Sequence, residues 1–330
     1  MSATSTRSRH PLPATQGLRR RARRLALGLS LAYLGAWASQ ASPPALARET
    51  RDFDQPDIIG GREARRGAWP HQVAILDAAE PSNYDGQYCG GSLISEDWVL
   101  TAAHCVEGSA ANGELDAADI EVGLGMHDLE AQDGRRVAVA QIVIHPDWFS
   151  SGAEVGDIAL LRLAAPVAPG TSVKPIGLVE QADDPALAPG LPAWVTGWGM
   201  LDDGEYANTL HEVDVPLVDE LLCRLDSEQP AVGESLCAGS LGKDTCYGDS
   251  GGPLVVGAAG SWRLAGLTSA GTTDVCGGED NYTLYTSVPY YLPWIRATLA
   301  DRSADLELGI EAPEIIRPGE VFSYRLTVRN

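Results

Sequence analysis

Short apolar runs separated by glycine, proline, asparagine and aspartate make up most of the chain from Ile58 onward. Runs of this length and alternating character, with turn residues between them, predict β-strands. Seven strands are predicted in this way, over residues 73–76, 98–101, 137–145, 158–163, 194–199, 254–256 and 262–269. Because no long helical stripe interrupts them, the pattern favours an all-β protein built as an antiparallel barrel or sandwich.

One helix is predicted near the end of this region, over residues 291–300. Its apolar side chains Leu292, Ile295 and Leu299 recur at helical spacing and share one face. Pro293 is placed in the first turn, where its missing N–H is tolerated.

The tail, residues 303–330, predicts two further strands. Residues 305–310 and 321–328 alternate strictly, with Pro318-Gly319 as a turn between them. An isolated hairpin buries too little apolar surface to be stable, so the tail is expected either to add to another surface or to begin a β-sandwich domain. The second interpretation is favoured, because the tail resembles the first strands of immunoglobulin-like repeat domains.

Residues 1–38 are predicted to be a signal peptide. A cluster of seven arginines precedes the apolar stretch 25–34, and Ala36-Trp37-Ala38 is a candidate cleavage site. An uncleaved amino-terminal anchor is the alternative. No later stretch reaches the roughly 20 apolar residues that a membrane helix needs, so a secreted or extracellular mature chain without a membrane span is expected. Residues 39–57 lack periodicity and are interpreted as a pro-segment.

The chain is strongly acidic, with 24 Lys plus Arg against 45 Asp plus Glu and a formal charge of −21. From Ile58 onward the imbalance is larger, at 15 basic against 41 acidic residues. Nucleic acids and anionic membranes would repel such a body, which argues against both as partners. A hydrophobic fraction of 44% is ordinary for a protein with a packed core.

Six cysteines follow the signal segment, at positions 89, 105, 223, 237, 246 and 276. An even number in an exported chain predicts disulfides. Zinc ligation is the alternative, but no C-x-x-C pair occurs. Spacing alone leaves all 15 pairings open.

Three segments carry candidate chemistry. Gly248-Asp-Ser-Gly-Gly-Pro253 contains a serine among glycines, while Thr101-Ala-Ala-His-Cys105 and Asp157-Ile-Ala-Leu-Leu161 supply a histidine and an aspartate. A serine hydroxyl becomes a nucleophile when a neutral imidazole takes its proton, and a carboxylate must fix the tautomer of that imidazole. The three residue types together therefore indicate nucleophilic hydrolysis.

These segments, together with Ile58-Ile-Gly-Gly61 and Thr196-Gly-Trp-Gly199, make residues 58–302 resemble a trypsin/chymotrypsin-family serine protease. The resemblance implies two antiparallel six-stranded β-barrels with a C-terminal helix, followed here by the partial β segment. It also implies a secreted serine endopeptidase that acts on proteins or peptides. A catalytically silent, protease-like binding module is the alternative, and a structural adhesin is a weaker one.

The resemblance assigns His104 as general base, Asp157 as its orienting carboxylate and Ser250 as nucleophile. The amides of Gly248 and Ser250 would form the oxyanion hole. The implied disulfides join Cys89 with Cys105, Cys223 with Cys237, and Cys246 with Cys276.

The resemblance also implies a primary specificity pocket lined by Ser269 and Gly271, with Asp244 at its base and cleavage after Arg or Lys. Thr283 stands where trypsin-like sequences have glycine, so it is expected to narrow the base. The alternative for Asp244 is a solvated loop acid beside Lys243.

Activation in this family frees the amino group of the residue equivalent to Ile58, which pairs with the aspartate equivalent to Asp249. Here Asp57 precedes Ile58 instead of a basic residue. A zymogen is therefore expected that does not cut itself at this bond and needs another, activating protease.

No metal or other cofactor is expected. Some relatives carry a calcium loop supported by acidic residues, but Met126 and Arg136 stand where two of those acids would be. Asn281-Tyr-Thr283 matches a glycosylation sequon, a weak motif.

Overall fold

A computed structural model describes residues 59–108, 115–131, 133–148, 155–224, 233–273, 275–278 and 281–300, with the backbone of 307–311 and 325–329. The predicted signal peptide, the pro-segment and Ile58 lie outside these residues. No helix in the described part of the chain is long and apolar enough to cross a bilayer.

Six antiparallel strands close the first barrel in the order β2-β3-β4-β7-β6-β5. Pairing between β2 and β5 completes the ring. The strands are β2 (Gln72–Asp77), β3 (Gln87–Leu93), β4 (Trp98–Thr101), β5 (Ile120–Leu124), β6 (Arg135–Ile144) and β7 (Ala159–Leu163).

A second ring of six antiparallel strands follows in the order β10-β11-β14-β13-β12-β9, and β9 pairs with β10 to close it. The strands are β9 (Pro192–Gly197), β10 (His211–Val218), β11 (Ser235–Ala238), β12 (Pro253–Val256), β13 (Arg263–Gly271) and β14 (Thr283–Ser287). Two short strands add further pairings to this ring, β1 (Arg62–Glu63) with β10 and β8 (Gly177–Leu178) with β13. The predicted fold of two six-stranded barrels is confirmed.

Short helical elements occupy the connections. The α-helices are α1 (Asn83–Gly86), α2 (Glu220–Arg224) and α3 (Val288–Ala300), and the 3₁₀ turns are Ala103–Cys105, Ala117–Asp119 and Pro185–Leu187. The predicted C-terminal helix is α3, with Leu292 and Ile295 buried.

The start predicted for this helix is wrong. Helix α3 begins at Val288, three residues earlier than predicted, so Pro293 lies inside the helix rather than in its first turn. The reason is that strand β14 ends at Ser287 and leads directly into the helix, which brings Val288 and Pro289 into the core.

The alternation of side chains in the central strands fills two cores at once. Val99 and Leu161 point into the first barrel, whereas Leu100 and Leu160 point outward into a cluster shared with the second barrel and with Ile295 of α3. Successive side chains of a strand face opposite sides. Strands buried on both faces therefore join the barrels, and each fully buried leucine or valine contributes about 1.5–3 kcal/mol.

All seven predicted strands are present, with boundaries shifted by up to two residues. Five barrel strands were missed: β3, β5, β10, β11 and β14. Strand β3 contains Gly90 and Gly91, and β10 contains Pro216, which are residues that weaken a strand prediction. Their strand conformation is set by pairing with neighbours distant in sequence.

The two described segments of the tail form β15 (Glu307–Glu311) and β16 (Arg325–Arg329), which pair antiparallel with each other. The predicted turn at Pro318-Gly319 lies outside the described residues. The immunoglobulin-like resemblance of the tail stays a prediction.

The barrels meet through backbone rather than through side chains at one point, where β3 and β4 contact the loop before β12. Gly251 has φ +74°, and a Cβ there would lie 2.2 Å from the Thr101 Oγ1 and 2.7 Å from the Gly90 carbonyl oxygen. The Gly90 N–H donates to the Ser250 carbonyl at 2.7 Å. Only glycine fits this contact.

Replacing Gly251 with alanine should destabilise the protein more than the same change at Gly260, which has φ +88° but open space around it. Both alanines would cost roughly 1–2 kcal/mol in the left-handed region. Only the first also meets backbone, which should add about 2 kcal/mol from overpacking. Urea unfolding of the two variants measures the difference, and equal losses would contradict the role assigned to this contact.

Candidate active site

His104 and Asp157 lie at adjoining ends of two paired strands. His104 is in the 3₁₀ turn that follows β4, and Asp157 comes just before β7. Because Thr101 of β4 pairs with Ala159 of β7 in antiparallel register, the end of one strand meets the start of the other. The register therefore brings together two side chains that are 53 residues apart in sequence.

The carboxylate of Asp157 holds both the backbone and the ring of His104. Its Oδ1 accepts the His104 N–H at 3.0 Å, and its Oδ2 lies 2.8 Å from Nδ1. An ionised carboxylate only accepts, so Nδ1 carries the proton and Nε2 is left as the basic nitrogen. The Ser269 hydroxyl also donates to Oδ2, at 2.5 Å.

Asp157 stays ionised although it is buried. Burial by itself would raise its pKa, but the hydrogen bonds from His104 and Ser269 and the electrostatic effect of the His104 ring outweigh it and hold the pKa below its usual value. The Thr286 hydroxyl donates to the Asp157 carbonyl at 2.8 Å, which fixes the backbone as well.

Ser250 lies in the loop between β11 and β12, at the contact between the barrels described above. Its carbonyl is held by Gly90, and the next residue, Gly251, donates its N–H to the Thr268 carbonyl at 2.7 Å. The Ser250 side chain lines a surface cavity of about 220 Å³.

Gly248 precedes Ser250 by two residues and has φ +96°. The Gln87 side-chain amide donates to the Gly248 carbonyl at 2.9 Å and to the Cys89 carbonyl at 3.1 Å. This anchors the loop to β3. Within the described part of the chain, neither the Gly248 N–H nor the Ser250 N–H donates to a protein acceptor.

Asp249 points away from the cavity into the protein. Its Oδ1 accepts the Gly199 N–H at 2.8 Å, and its Oδ2 accepts the Cys246 N–H at 3.0 Å. Burial raises its pKa to about 6. No basic side chain among the described residues forms an ion pair with it.

The predicted pocket residues line one cavity. Asp244, Ser269, Gly271 and Thr283 all border it, together with Ser250. The sequence predicted Ser269 only as a residue of the substrate pocket. Its hydroxyl also donates a hydrogen bond to Asp157.

The interpretation of Asp244 as a solvated loop acid beside Lys243 is wrong. Asp244 is 1% exposed, and the Lys243 ammonium pairs with Asp214 at 2.6 Å instead. Four protein donors surround its carboxylate. Burial nevertheless raises its pKa, against the effect of those hydrogen bonds.

Asn281 and Thr283 supply two of those donors. Asn281 is 2% exposed, and its amide nitrogen donates to Asp244 Oδ2 at 2.6 Å. A buried, bonded amide does not fit a glycosylation site, so the sequon interpretation fails in the folded chain. The sequence did not predict Asn281 as a pocket residue. Its position two residues before Thr283, which was predicted to line the pocket, was the one feature that could have indicated it.

Three disulfides are present, and they are the pairs that the resemblance implies: Cys89–Cys105, Cys223–Cys237 and Cys246–Cys276. The first joins β3 to the turn that carries His104. The third joins the Ser250 loop to the segment beside Gly277, whose N–H donates to Asp244.

One group of potential metal ligands lies close together within the described residues, formed by Cys89, His104 and Cys105. The disulfide occupies both sulfurs, so neither is a thiolate that could bind zinc. In the loop that corresponds to the calcium loop of some relatives, Asp133 accepts the His127 N–H and pairs with Arg66. That carboxylate is therefore already neutralised by a cation of the protein.

The comparisons with known proteins agree with this geometry. The profile of the family described as Trypsin matches residues 58–295. The chain is 37% identical over 281 residues to a tryptase of Mus musculus, covering 81% of this chain and 95% of the relative. It is 36% identical over 260 residues to chymotrypsin-like elastase family member 1 of Macaca fascicularis, covering 76% and 93%. The human protein of that description is also 36% identical, with 76% and 96% covered. The chain therefore belongs to the trypsin family and is a serine-type endopeptidase.

Proposed function

We propose that His104, Asp157 and Ser250 form the catalytic triad of this endopeptidase. The observation that carries the proposal is the hydrogen bond between His104 Nδ1 and Asp157 Oδ2. Asp157 also accepts the hydroxyl of Ser269, which lines the same cavity as Ser250. It leaves Nε2 of His104 to take the proton of the Ser250 hydroxyl.

In this mechanism the Ser250 oxygen attacks the carbonyl carbon of the scissile bond while its proton passes to His104. His104 then gives that proton to the leaving amine, and a water molecule hydrolyses the acyl-enzyme by the same steps in reverse. Asp157 stays ionised and stabilises the imidazolium that forms.

The N–H groups of Gly248 and Ser250 would hold the oxyanion of the tetrahedral intermediate. Both lie on the loop that Gln87, Gly90 and Asp249 anchor, so they are fixed before the substrate arrives. Preorganised donors of this kind are each worth on the order of 3 kcal/mol in the transition state.

A serine-directed phosphonate should label the activated protein covalently, because only an activated hydroxyl attacks phosphorus at a useful rate. Mass spectrometry should find one adduct, on Ser250. The Ser250→Ala variant should show none, and Asp157→Asn should react on the order of 10⁴-fold more slowly. An adduct that survives Ser250→Ala would refute the assignment, and absence of labelling in the parent would support the silent binding module.

The substrate specificity is proposed to be for Lys or Arg before the scissile bond. Asp244 supplies a negative charge at the base of the cavity, and Gly271 keeps its wall free of a side chain. A buried carboxylate favours a cationic side chain over a neutral one of the same size.

A panel of peptides that differ only in the residue before the scissile bond should show cleavage after basic residues. Asp244→Ser should lower kcat/KM for these substrates by on the order of 100-fold, because it removes the charge that the substrate cation faces. Asp214→Asn, which removes a half-exposed acid outside the cavity, is the matched control and should change little. Preference for small or aromatic residues in the parent would overturn the proposal.

Activation is proposed to occur by cleavage before Ile58, whose new amino group would pair with Asp249. Asp249 supports this because it is buried with an unusually high pKa and lacks a described cationic partner. Ile59, the residue after Ile58, contacts the same loop that contains Asp249, because its carbonyl accepts the Asp244 N–H at 3.3 Å.

The uncut chain should lose stability as the pH rises through the pKa of Asp249. That pKa is about 6 in the fold against 3.8 for the free side chain. The folded state therefore binds the proton more tightly, and this contribution, present below 3.8, disappears above 6. Between pH 3.8 and pH 6 the free energy of unfolding of the parent should fall by about 3 kcal/mol more than that of the Asp249→Asn variant. Urea unfolding across this range measures it, and the cut chain should show a smaller fall. Identical profiles for parent and variant would contradict the proposal.

The precursor should not process itself, because Asp57 is a poor residue for a pocket that selects cations. Pure precursor should stay intact on incubation, whereas Asp57→Lys should cut itself before Ile58. Asp57→Asn is the matched control and should stay intact. Amino-terminal sequencing over time measures processing, and autonomous cleavage of the parent at Asp57-Ile58 would rule out the need for an activating protease.

Residues 1–38 are proposed to direct secretion. The excess of acidic residues beyond Ile58 would favour encounter with cationic substrates at low salt.

Residues 303–330 are proposed to begin a β-sandwich domain or to dock on another surface, because their paired strands cannot be stable alone.

A further inference from the structure

The carboxylate of Asp244 is saturated by donors of the protein itself. Its Oδ1 accepts the Thr245 N–H at 2.9 Å and the Thr283 hydroxyl at 2.5 Å. Its Oδ2 accepts the Gly277 N–H at 3.0 Å and the Asn281 amide at 2.6 Å. A carboxylate has about four lone-pair sites, two on each oxygen. No site is left for a donor of the substrate.

The orientation of the Asn281 amide is fixed from its other side. Its Oδ1 accepts the Thr272 hydroxyl and the Thr273 N–H, each at 3.0 Å. Its NH₂ must therefore face Asp244. A substrate cation cannot displace this donor without breaking the loop contacts behind it.

The threonine hydroxyls above the carboxylate form a chain that points its protons inward. Thr283 donates to Asp244, and Thr245 donates to Thr283 at 3.2 Å between the two oxygens. Both residues line the cavity. Each hydroxyl spends its single proton in this chain. One lone pair of Thr283 and the lone pairs of Thr245 are then the acceptors that a substrate cation can use.

A pocket lined at its bottom by hydroxyl oxygens, with the carboxylate covered, suits an ammonium group better than a guanidinium. An arginine gains most when its planar fork meets both oxygens of an open carboxylate. The compact, rotatable donors of a lysine can instead point at single hydroxyl oxygens. Thr245 and Thr283 both line the cavity, so their hydroxyl oxygens are the acceptors that such an ammonium group would meet.

We propose that Thr283 and Asn281 are specificity-determining residues that make this pocket select lysine over arginine. The inference rests on the proposed function, since it refines the Lys or Arg preference of the same site. The charge of Asp244 attracts the cation, and the covered carboxylate decides which cation fits.

The test uses the full chain with a specific processing site in place of residues 53–57, cut to begin at Ile58. Two peptides that differ only in Lys or Arg before the scissile bond are compared by kcat/KM. The Lys peptide should be favoured at least about tenfold, a loss expected when a charged bidentate contact cannot form.

Two variants of Thr283 separate the hydroxyl from the bulk of the side chain. Thr283→Val has the same shape but frees one lone pair of Asp244 and removes an acceptor, so the Lys/Arg ratio should fall at least about tenfold. Thr283→Ser keeps the hydroxyl and should keep the ratio. An unchanged ratio in Thr283→Val would overturn the inference.

A second measurement needs no variant. In the parent protein, n-butylammonium should inhibit cleavage at a lower concentration than n-propylguanidinium, because the two cations carry the same charge and differ in the head group. Preference for Arg over Lys, or for the planar guanidinium over the ammonium, would overturn the inference and leave the proposed function intact. Cleavage after neither basic residue would refute the proposed specificity itself, and this inference with it.

Discussion

The buried carboxylate of Asp249 ties the reactive loop to the interior of the second barrel. It accepts N–H groups from Gly199, which follows β9, and from Cys246, in its own loop. A Cβ on Gly197 or Gly199 would lie within 2.4 Å of this side chain. Gly197 and Gly199 therefore leave the space that the Asp249 side chain occupies. The two N–H donors are needed as well, because burying a charged group is costly unless hydrogen bonds surround it.

The position of Ser250 depends on this anchor and on a second one from the first barrel. Gly90 and Gly251 let the two backbones touch, and Gln87 holds the Gly248 carbonyl from the same side. The disulfide of Cys89 fastens β3 to the turn that carries His104. Residues of both barrels are thus fixed to one another by backbone contacts, which suits groups that must stay aligned during a reaction.

The sequence was most informative where apolar residues are continuous and least where pairing partners decide. Runs such as 98–101 predicted their strands directly, since they are buried on both faces. Strand β3, with its adjacent glycines, and β10, with Pro216, have weak intrinsic preference and were missed. The helix start was misplaced at Tyr291 because periodicity does not reveal that β14 leads directly into Val288.

The sequence by itself determined the family, the two barrels and the residue types of the site, because those depend on motifs and on local apolar pattern. Only the tertiary structure decided how each polar group is satisfied. It turned Asn281 from a glycosylation candidate into a donor to Asp244 and gave Ser269 a bond to Asp157. These contacts join residues 37 and 112 positions apart. Hydrogen bonds are set by distances in space, and those follow from strand register and loop packing rather than from order along the chain.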